Sequence, residues 1–154
     1  MKKLLRQAIA LFILLAAITG AAYAQERGTQ ADAKKMVQEA LVHIKEVGLT
    51  KAFEDFGAPG GKWHYKDVSV FCYKMDGTCV CNGDHPALVG KNLIDFKYPD
   101  GQTHIKKMAE IAAHGGGWDE YPWPSPQSKK VESKQTFIAK IPGYDGFIGA
   151  GIYK

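Results

Sequence analysis

The stretch from Val68 to Cys81 constrains the fold of this chain more than any other. Val68, Val70 and Cys72 alternate with Ser69, Phe71 and Tyr73, and after Asp76-Gly77 a strand restarts from Thr78 to Cys81. Strand-period sequence on both sides of an Asp-Gly pair predicts a β-hairpin. An isolated hairpin is marginal in water, so it needs partners to cover its apolar face. The rest of the chain supplies them. Thr29-Gln30-Ala31-Asp32 reads as a capping box, with Asp in place of the usual Glu. Met36, Val37, Ala40, Leu41, Ile44 and Val47 follow at helical spacing, and Gly48 is a stop. A second short helix fits Thr50 to Phe56, capped by Thr50 and ended by Gly57. Ile105, Met108, Ala109 and Ala112 mark a further helix between strands, stopped by Gly115-Gly116-Gly117. Three strands then follow: Trp118 to Trp123, Val131 to Ile141 and Gly146 to Tyr153. Consecutive strands with short links pair antiparallel, and helices grouped beside them give an α+β fold.

The first 24 residues stand apart. Lys2, Lys3 and Arg6 precede an apolar run through Leu11 to Leu15, and Ala22-Tyr23-Ala24 closes it. A positive start, a short apolar stretch and small residues at the end predict a signal peptide, residues 1–24, cleaved after Ala24. The apolar run is shorter than the ~20 residues of a spanning helix. The expected domain is residues 25–154, exported to the periplasm. The whole chain carries a formal charge of +4; without Lys2, Lys3 and Arg6 it has 17 basic and 16 acidic residues, or +1. Such a near-neutral domain, with no basic stripe, is a poor partner for nucleic acid. No second apolar run could span a membrane.

An ordered set of short pieces resembles a single Cache domain. It consists of Tyr73-Lys74-Met75-Asp76-Gly77-Thr78, His85-Pro86, Leu88 to Asn92, Asp100-Gly101, Gly117-Trp118-x-x-Tyr121-Pro122-Trp123, Lys134, Ile141-Pro142-Gly143 and Gly149 to Tyr153. The resemblance covers residues 31–153. It implies a PAS-like antiparallel sheet of about five strands with a long N-terminal helix. It also implies an extracytoplasmic sensor that holds a small organic molecule, often a short carboxylic acid, between the sheet and its loops. A receptor of this kind would continue into a second span and an output domain; the sequence ends at Lys154, which fits the free-standing secreted form. Such a module would work with a separate membrane-bound sensor or transporter.

Several side chains are candidates for that pocket. Tyr121 and Trp123 share a strand face, with Trp118 on the other, and Tyr73 shares a hairpin face with Phe71. Tyr and Trp offer an apolar ring with one polar tip, which suits a small-ligand pocket and equally a core. Lys134, beside Thr136 and Ile138 in a strand pattern, could pair with a ligand carboxylate or lie in solvent. Its position matches a recurring lysine of the family, which implies the ligand role. His85 could donate to an anion or order its own turn. The candidate binding set is Tyr73, His85, Trp118, Tyr121, Trp123 and Lys134. His43, His64, His104 and His114 read as surface or helix-end residues, and Asp119/Glu120 as solvated.

The three cysteines leave two registers open. A two-residue turn sets Cys72 opposite Cys81 at a non-hydrogen-bonded pair, compatible with a disulfide and leaving Cys79 free. A longer turn with a bulge sets Cys72 opposite Val80 instead. Cys79-x-Cys81 with His85 does not match a standard zinc spacing, and no orienting third group marks a Cys/His nucleophile. No G-x-S-x-G, H-E-x-x-H or phosphate-binding glycine loop is present. The sequence therefore predicts a binding module rather than an enzyme, with no cofactor and no metal. The alternatives are a protein-interaction domain with a vestigial pocket and a Cys/His-dependent enzyme.

Overall fold

A computed structural model describes residues 26–154; the expected signal peptide and its cleavage site lie outside the described residues. Helix α1, Gln30–Val47, opens on the capping box: the Asp32 carboxylate accepts from the Thr29 backbone N–H at 2.8 Å, and Thr29 Oγ1 accepts from Asp32 N–H at 3.2 Å. Gly48, at φ +83°, ends α1 and at once begins α2, Leu49–Gly57. The helix thus starts one residue earlier than predicted, and Thr50 is not its cap. Strand β1 is His64–Tyr65, β2 Val68–Lys74 and β3 Cys79–Asn82. A 3-10 turn at Pro86–Leu88 and a long loop lead to α3, His104–Ala113. Strands β4, Gly117–Pro124, β5, Val131–Lys140, and β6, Gly146–Tyr153, complete the chain.

All pairings are antiparallel, in the order β1-β2-β6-β5-β4, with β3 also on β2. The sheet has six strands, one more than expected, because the short β1 pairs with Val68 and Ser69. Pleating divides the buried residues into two cores. Helices α1 and α2 cover Val68, Val70, Cys72, Ile148 and Ala150 on one face. Helix α3 and the loop cover Phe71, Tyr73, Tyr121, Ile138 and Phe147 on the other.

The hairpin combines both predicted registers. Lys74 N–H reaches Thr78 O at 2.8 Å, so the turn is longer than Asp76-Gly77 alone. A β-bulge then sets Tyr73 opposite Cys79, and Cys72 falls opposite Cys81 after all. The bulge also turns Cys79 to the α3 face and Cys81 to the α1 face. Gly83 N–H bonds to Val70 O two residues along, which makes Cys72–Cys81 a hydrogen-bonded pair rather than the non-hydrogen-bonded pair counted from a two-residue turn. Both are free, buried thiols in this structure, as is Cys79.

Candidate functional site

The α3 face of the sheet holds a narrow hollow of about 20 Å³, little more than one water molecule needs. Ser69, Phe71 and Tyr73 of β2 and Lys134 of β5 form its floor. Ile105 and Met108 of α3, Tyr121 and Trp123 of β4, and Asn82, His85 and Tyr98 form its walls. Glycine on β6 keeps the floor low. A Cβ on Gly149 would stand 2.5 Å from the Phe71 ring, and one on Gly151 would stand 2.3 Å from Thr136 Oγ1 and 3.0 Å from Lys134 Cε. The Gly149-x-Gly151 pair thus leaves the width of a missing side chain for Phe71 and Lys134 to lie across the strand.

Five of the six predicted binding residues meet here: Tyr73, His85, Tyr121, Trp123 and Lys134. Trp118 does not. It packs on Phe137 on the opposite face and is exposed, as the strand alternation requires of a residue three before Tyr121. Asn82, Tyr98 and, just behind the wall, Asp84 escaped the sequence reading, because loops and short strands have no period to mark them; Ser69 and Met108 were placed on a strand and a helix but not assigned to the pocket.

The lining is rich in donors. Lys134 is 3% exposed, and its nearest carboxylate oxygen, Asp84 Oδ2, is 3.8 Å away, beyond hydrogen-bond reach. Burial pushes the Lys134 ammonium below the ordinary lysine range, with Asp84 and Asp67 opposing. Its charge also lies 4.8 Å from the Tyr153 ring centre. Asn82 Oδ1 accepts from His85 N–H at 2.8 Å, so what Asn82 can offer a ligand is its NH2. The indole of Trp123 donates to His85 Nε2 at 3.1 Å. Since an indole only donates, the His85 proton sits on Nδ1. Burial lowers the His85 pKa and favours this neutral ring. Tyr121 Oη and Thr136 Oγ1 satisfy one another at 2.9 Å, and burial pushes the Tyr73, Tyr98 and Tyr121 phenols well above their usual range.

Behind Tyr98 and Tyr121 lies a buried polar cluster. His104 Nδ1 is 2.6 Å from Asp119 Oδ2 and its Nε2 is 2.8 Å from Asp100 Oδ2; Lys107 also pairs with Asp119. This corrects the sequence reading of Asp119 as solvated, and the surface half of the reading of His104 as a surface or helix-end residue: they are 3% and 2% exposed, and His104 is the first residue of α3. Neighbouring strand residues do face opposite ways, but the face Asp119 meets is covered by α3. The cluster ties that helix to β4. Two wider depressions on the outer side of α1, lined by groups such as Glu39 and Lys62, are open and hold no comparable buried charge.

Cys72 and Cys79 are poor nucleophiles. Burial pushes Cys79 up to about 12 and raises Cys72 well above the ordinary thiol range, and His85 is engaged by Trp123. Among the described residues no group of three or more His, Cys, Asp or Glu side chains is arranged to hold a metal ion, and no helix is long and apolar enough to cross a membrane.

A family model described as a Cache domain (dCache_2) matches residues 62–154. No curated protein matches the chain. Among solved structures, a methyl-accepting chemotaxis protein from Vibrio parahaemolyticus aligns at 23% identity and TM-score 0.71, over 80% of this chain and 87% of that one. A Cache chemosensory domain described for carboxylic acid recognition aligns at 18% identity and TM-score 0.67, over 82% and 99%. The periplasmic sensor domain of a chemotaxis protein aligns at 20% identity and TM-score 0.62, over 78% and 86%. At these identities the likeness is one of fold.

Proposed function

The chain belongs to the Cache domain family, and from that premise we propose that it is a non-catalytic binding module for a short carboxylic acid. Cache domains are extracytoplasmic sensor modules. The proposed ligand site is the hollow on the α3 face, with Tyr73, His85, Tyr121, Trp123 and Lys134 around it. One observation carries this reading: Lys134 is a buried ammonium on the floor of an aromatic-lined hollow, with its counter-charge beyond hydrogen-bond reach. A buried charge is costly unless it is paired and hydrogen-bonded. A ligand carboxylate would supply both, in surroundings where the attraction exceeds that in water. Asn82, Ser69 and Tyr73 add donors of the right kind. The hollow is little larger than one water, so even a ligand of a few heavy atoms must widen it, and this narrowness supports a second reading, a protein-interaction domain whose pocket is vestigial.

The proposed setting is the periplasm after removal of residues 1–24, with a separate membrane-bound sensor or transporter as partner. A thermal-shift series with acetate, propionate, longer monoacids and neutral amides tests the ligand class. Binding at 100 times Kd stabilises by about 2.7 kcal/mol, which is readily seen. Stabilisation by acids that vanishes in Lys134→Met is the expected result. A flat response to every acid would favour the interaction domain.

A further inference from the structure

Residues 95–102, in the loop before α3, close the hollow with a single ring. Only Tyr98 of this segment is buried. Its ring lines the hollow and stands 5.0 Å from the Trp123 ring and 5.3 Å from the Tyr121 ring, centre to centre. The backbone of the segment bonds only within local turns: Phe96 N–H to Leu93 O, Tyr98 N–H to Gln102 O and Gly101 N–H to Tyr98 O. A segment with few buried contacts and only local hydrogen bonds is among the first parts of a fold to open. Asp100 holds it down. Its carboxylate lies 2.8 Å from His104 Nε2, the one hydrogen bond among the described residues that leads from the segment to the helix behind it.

That contact depends on charge. His104 Nδ1 is 2.6 Å from Asp119 Oδ2, while Nε2 faces Asp100. A carboxylate only accepts, so both ring nitrogens must donate, and only the imidazolium does that. Asp100 and Tyr98 face the ring from the segment, and Asp119 and Tyr121 from β4. Lys107 of α3 pairs with the other oxygen of Asp119. With the imidazolium these charges cancel; with a neutral ring one negative charge stays uncompensated. His104 in turn holds the Asp100 carboxyl below the ordinary carboxylate range. Loss of the ring proton sets a nitrogen lone pair against one of the two carboxylates. The Asp119 side chain has no exposure, so it keeps Nδ1–H, because leaving a buried acceptor without its donor is costly. The Asp100 side chain is 35% exposed and can turn to water. The contact that breaks is therefore the one that holds the segment.

We propose that residues 95–102 are a strap that shuts the hollow with Tyr98, and that the His104 imidazolium is its latch, closed while the ring carries its second proton and released as the pH rises. Release lets Tyr98 leave the wall and widens a hollow that, shut, holds little more than one water. The strap goes beyond the carboxylate reading and is independent of it, since it opens without any ligand.

NMR of the intact exported protein tests this in the absence of ligand, from pH 6, above the ordinary carboxylate range, to pH 9. Nitrogen-15 shifts of the His104 ring read its protonation. Amide exchange, corrected for the intrinsic rate at each pH, reads the strap. At pH 6 both ring nitrogens should carry a proton. As the ring loses one, protection of the Tyr98 and Gly101 amides should fall at least about tenfold, the loss of one hydrogen bond to a charged group, while protection in β6 stays. In Asp100→Asn the side-chain amide can accept from the ring or donate to it, so strap protection should no longer depend on pH. High protection there throughout identifies the hydrogen bond as the hold, and low protection throughout identifies the charge; both support the latch. A neutral ring at pH 6, or a ring still charged at pH 9, would overturn it. So would strap protection that ignores the ring's titration in the parent protein, or that follows it unchanged in Asp100→Asn.

Discussion

Removing the charge on the pocket floor should separate stability from binding. At 3.8 Å the attraction between Lys134 and Asp84 is about 4 kcal/mol for an effective dielectric near 20. Against it stands a residual desolvation cost of several kcal/mol for each buried ion, with no hydrogen bond between them to offset it. The pair therefore adds little net stability. Lys134→Met alone leaves Asp84 buried without its counter-charge and should cost about 3 kcal/mol. Adding Asp84→Asn removes the orphan charge, so the double variant should return to within about 1 kcal/mol of the parent or exceed it. Binding behaves differently. The single and double variants both lack the Lys134 ammonium, and so lose a desolvated, charge-assisted contact of about 2–5 kcal/mol, which weakens acid binding at least roughly thirtyfold. Urea unfolding reads the first quantity and calorimetric titration the second. A double variant that stays more than about 2 kcal/mol below the parent would show that the pair staples the fold. Retained affinity would show that Lys134 does not hold the carboxylate.

Other outcomes follow from single contacts. Burial depresses the His85 pKa, so the folded protein keeps the ring neutral while the unfolded chain takes up a proton below about 6.5. The stability from this group is complete above that pH and lost as pH falls further; His85→Gln, which still accepts from Trp123, should flatten the pH dependence between 7 and 5, and an unchanged slope would contradict it. Gly151→Ala places a methyl 2.3 Å from Thr136 Oγ1 and 2.8 Å from Gln135 O, and should cost about 1–3 kcal/mol with weaker acid binding; parental values of both would refute the tight floor. Asp119→Ala strips the Nδ1 partner from buried His104, leaving Asp100 on Nε2, and should cost about 1–3 kcal/mol in urea unfolding, whereas a loss below about 0.5 kcal/mol would show that the cluster does not anchor α3. In an oxidising compartment Cys72–Cys81 should close: a hydrogen-bonded strand pair at about 5.5 Å between Cα atoms is within disulfide range, and a loop this short adds roughly 2–3 kcal/mol. Intact mass two hydrogens lighter, with one reactive thiol under denaturant, is expected; three thiols would reject it.

Where local chemistry decides the structure, the sequence was legible. The capping box at Thr29 and Asp32, the stop at Gly48, and the bounds of β6 follow from residues within a few positions of each other. The hairpin register was not legible, because it depends on a distant loop. Residues 90–93 are stitched to the turn and to β3, with Cys79 N–H on Lys91 O at 2.9 Å and Leu93 N–H on Gly77 O at 2.9 Å, and the longer turn and its compensating bulge accompany that contact. Trp118 entered the candidate site by residue type, although its position on the strand already set it on the far face. Asp84 and Tyr98 belong to irregular backbone, where no periodicity shows which way a side chain points. Asp119 read as solvated, and His104 as a surface or helix-end residue, because the packing of α3 against β4 is a tertiary fact.

The two faces of the sheet bear different loads, and the difference argues for where function lies. Under α1 and α2 the core is apolar from Ala33 and Val37 through Val70 and Cys72 to Ile148 and Ala150. Under α3 the sheet presents Ser69, Lys134, Thr136 and Asp119 among aromatic rings, all four 3% exposed or less. An apolar residue of equal volume would serve stability as well or better at most of these positions. Thr136 finds its partner in Tyr121, and Asp119 in His104. Lys134 has none within hydrogen-bond reach among the described residues, so packing alone gives no reason for a cation on the floor, and the anion of the proposed function would give one.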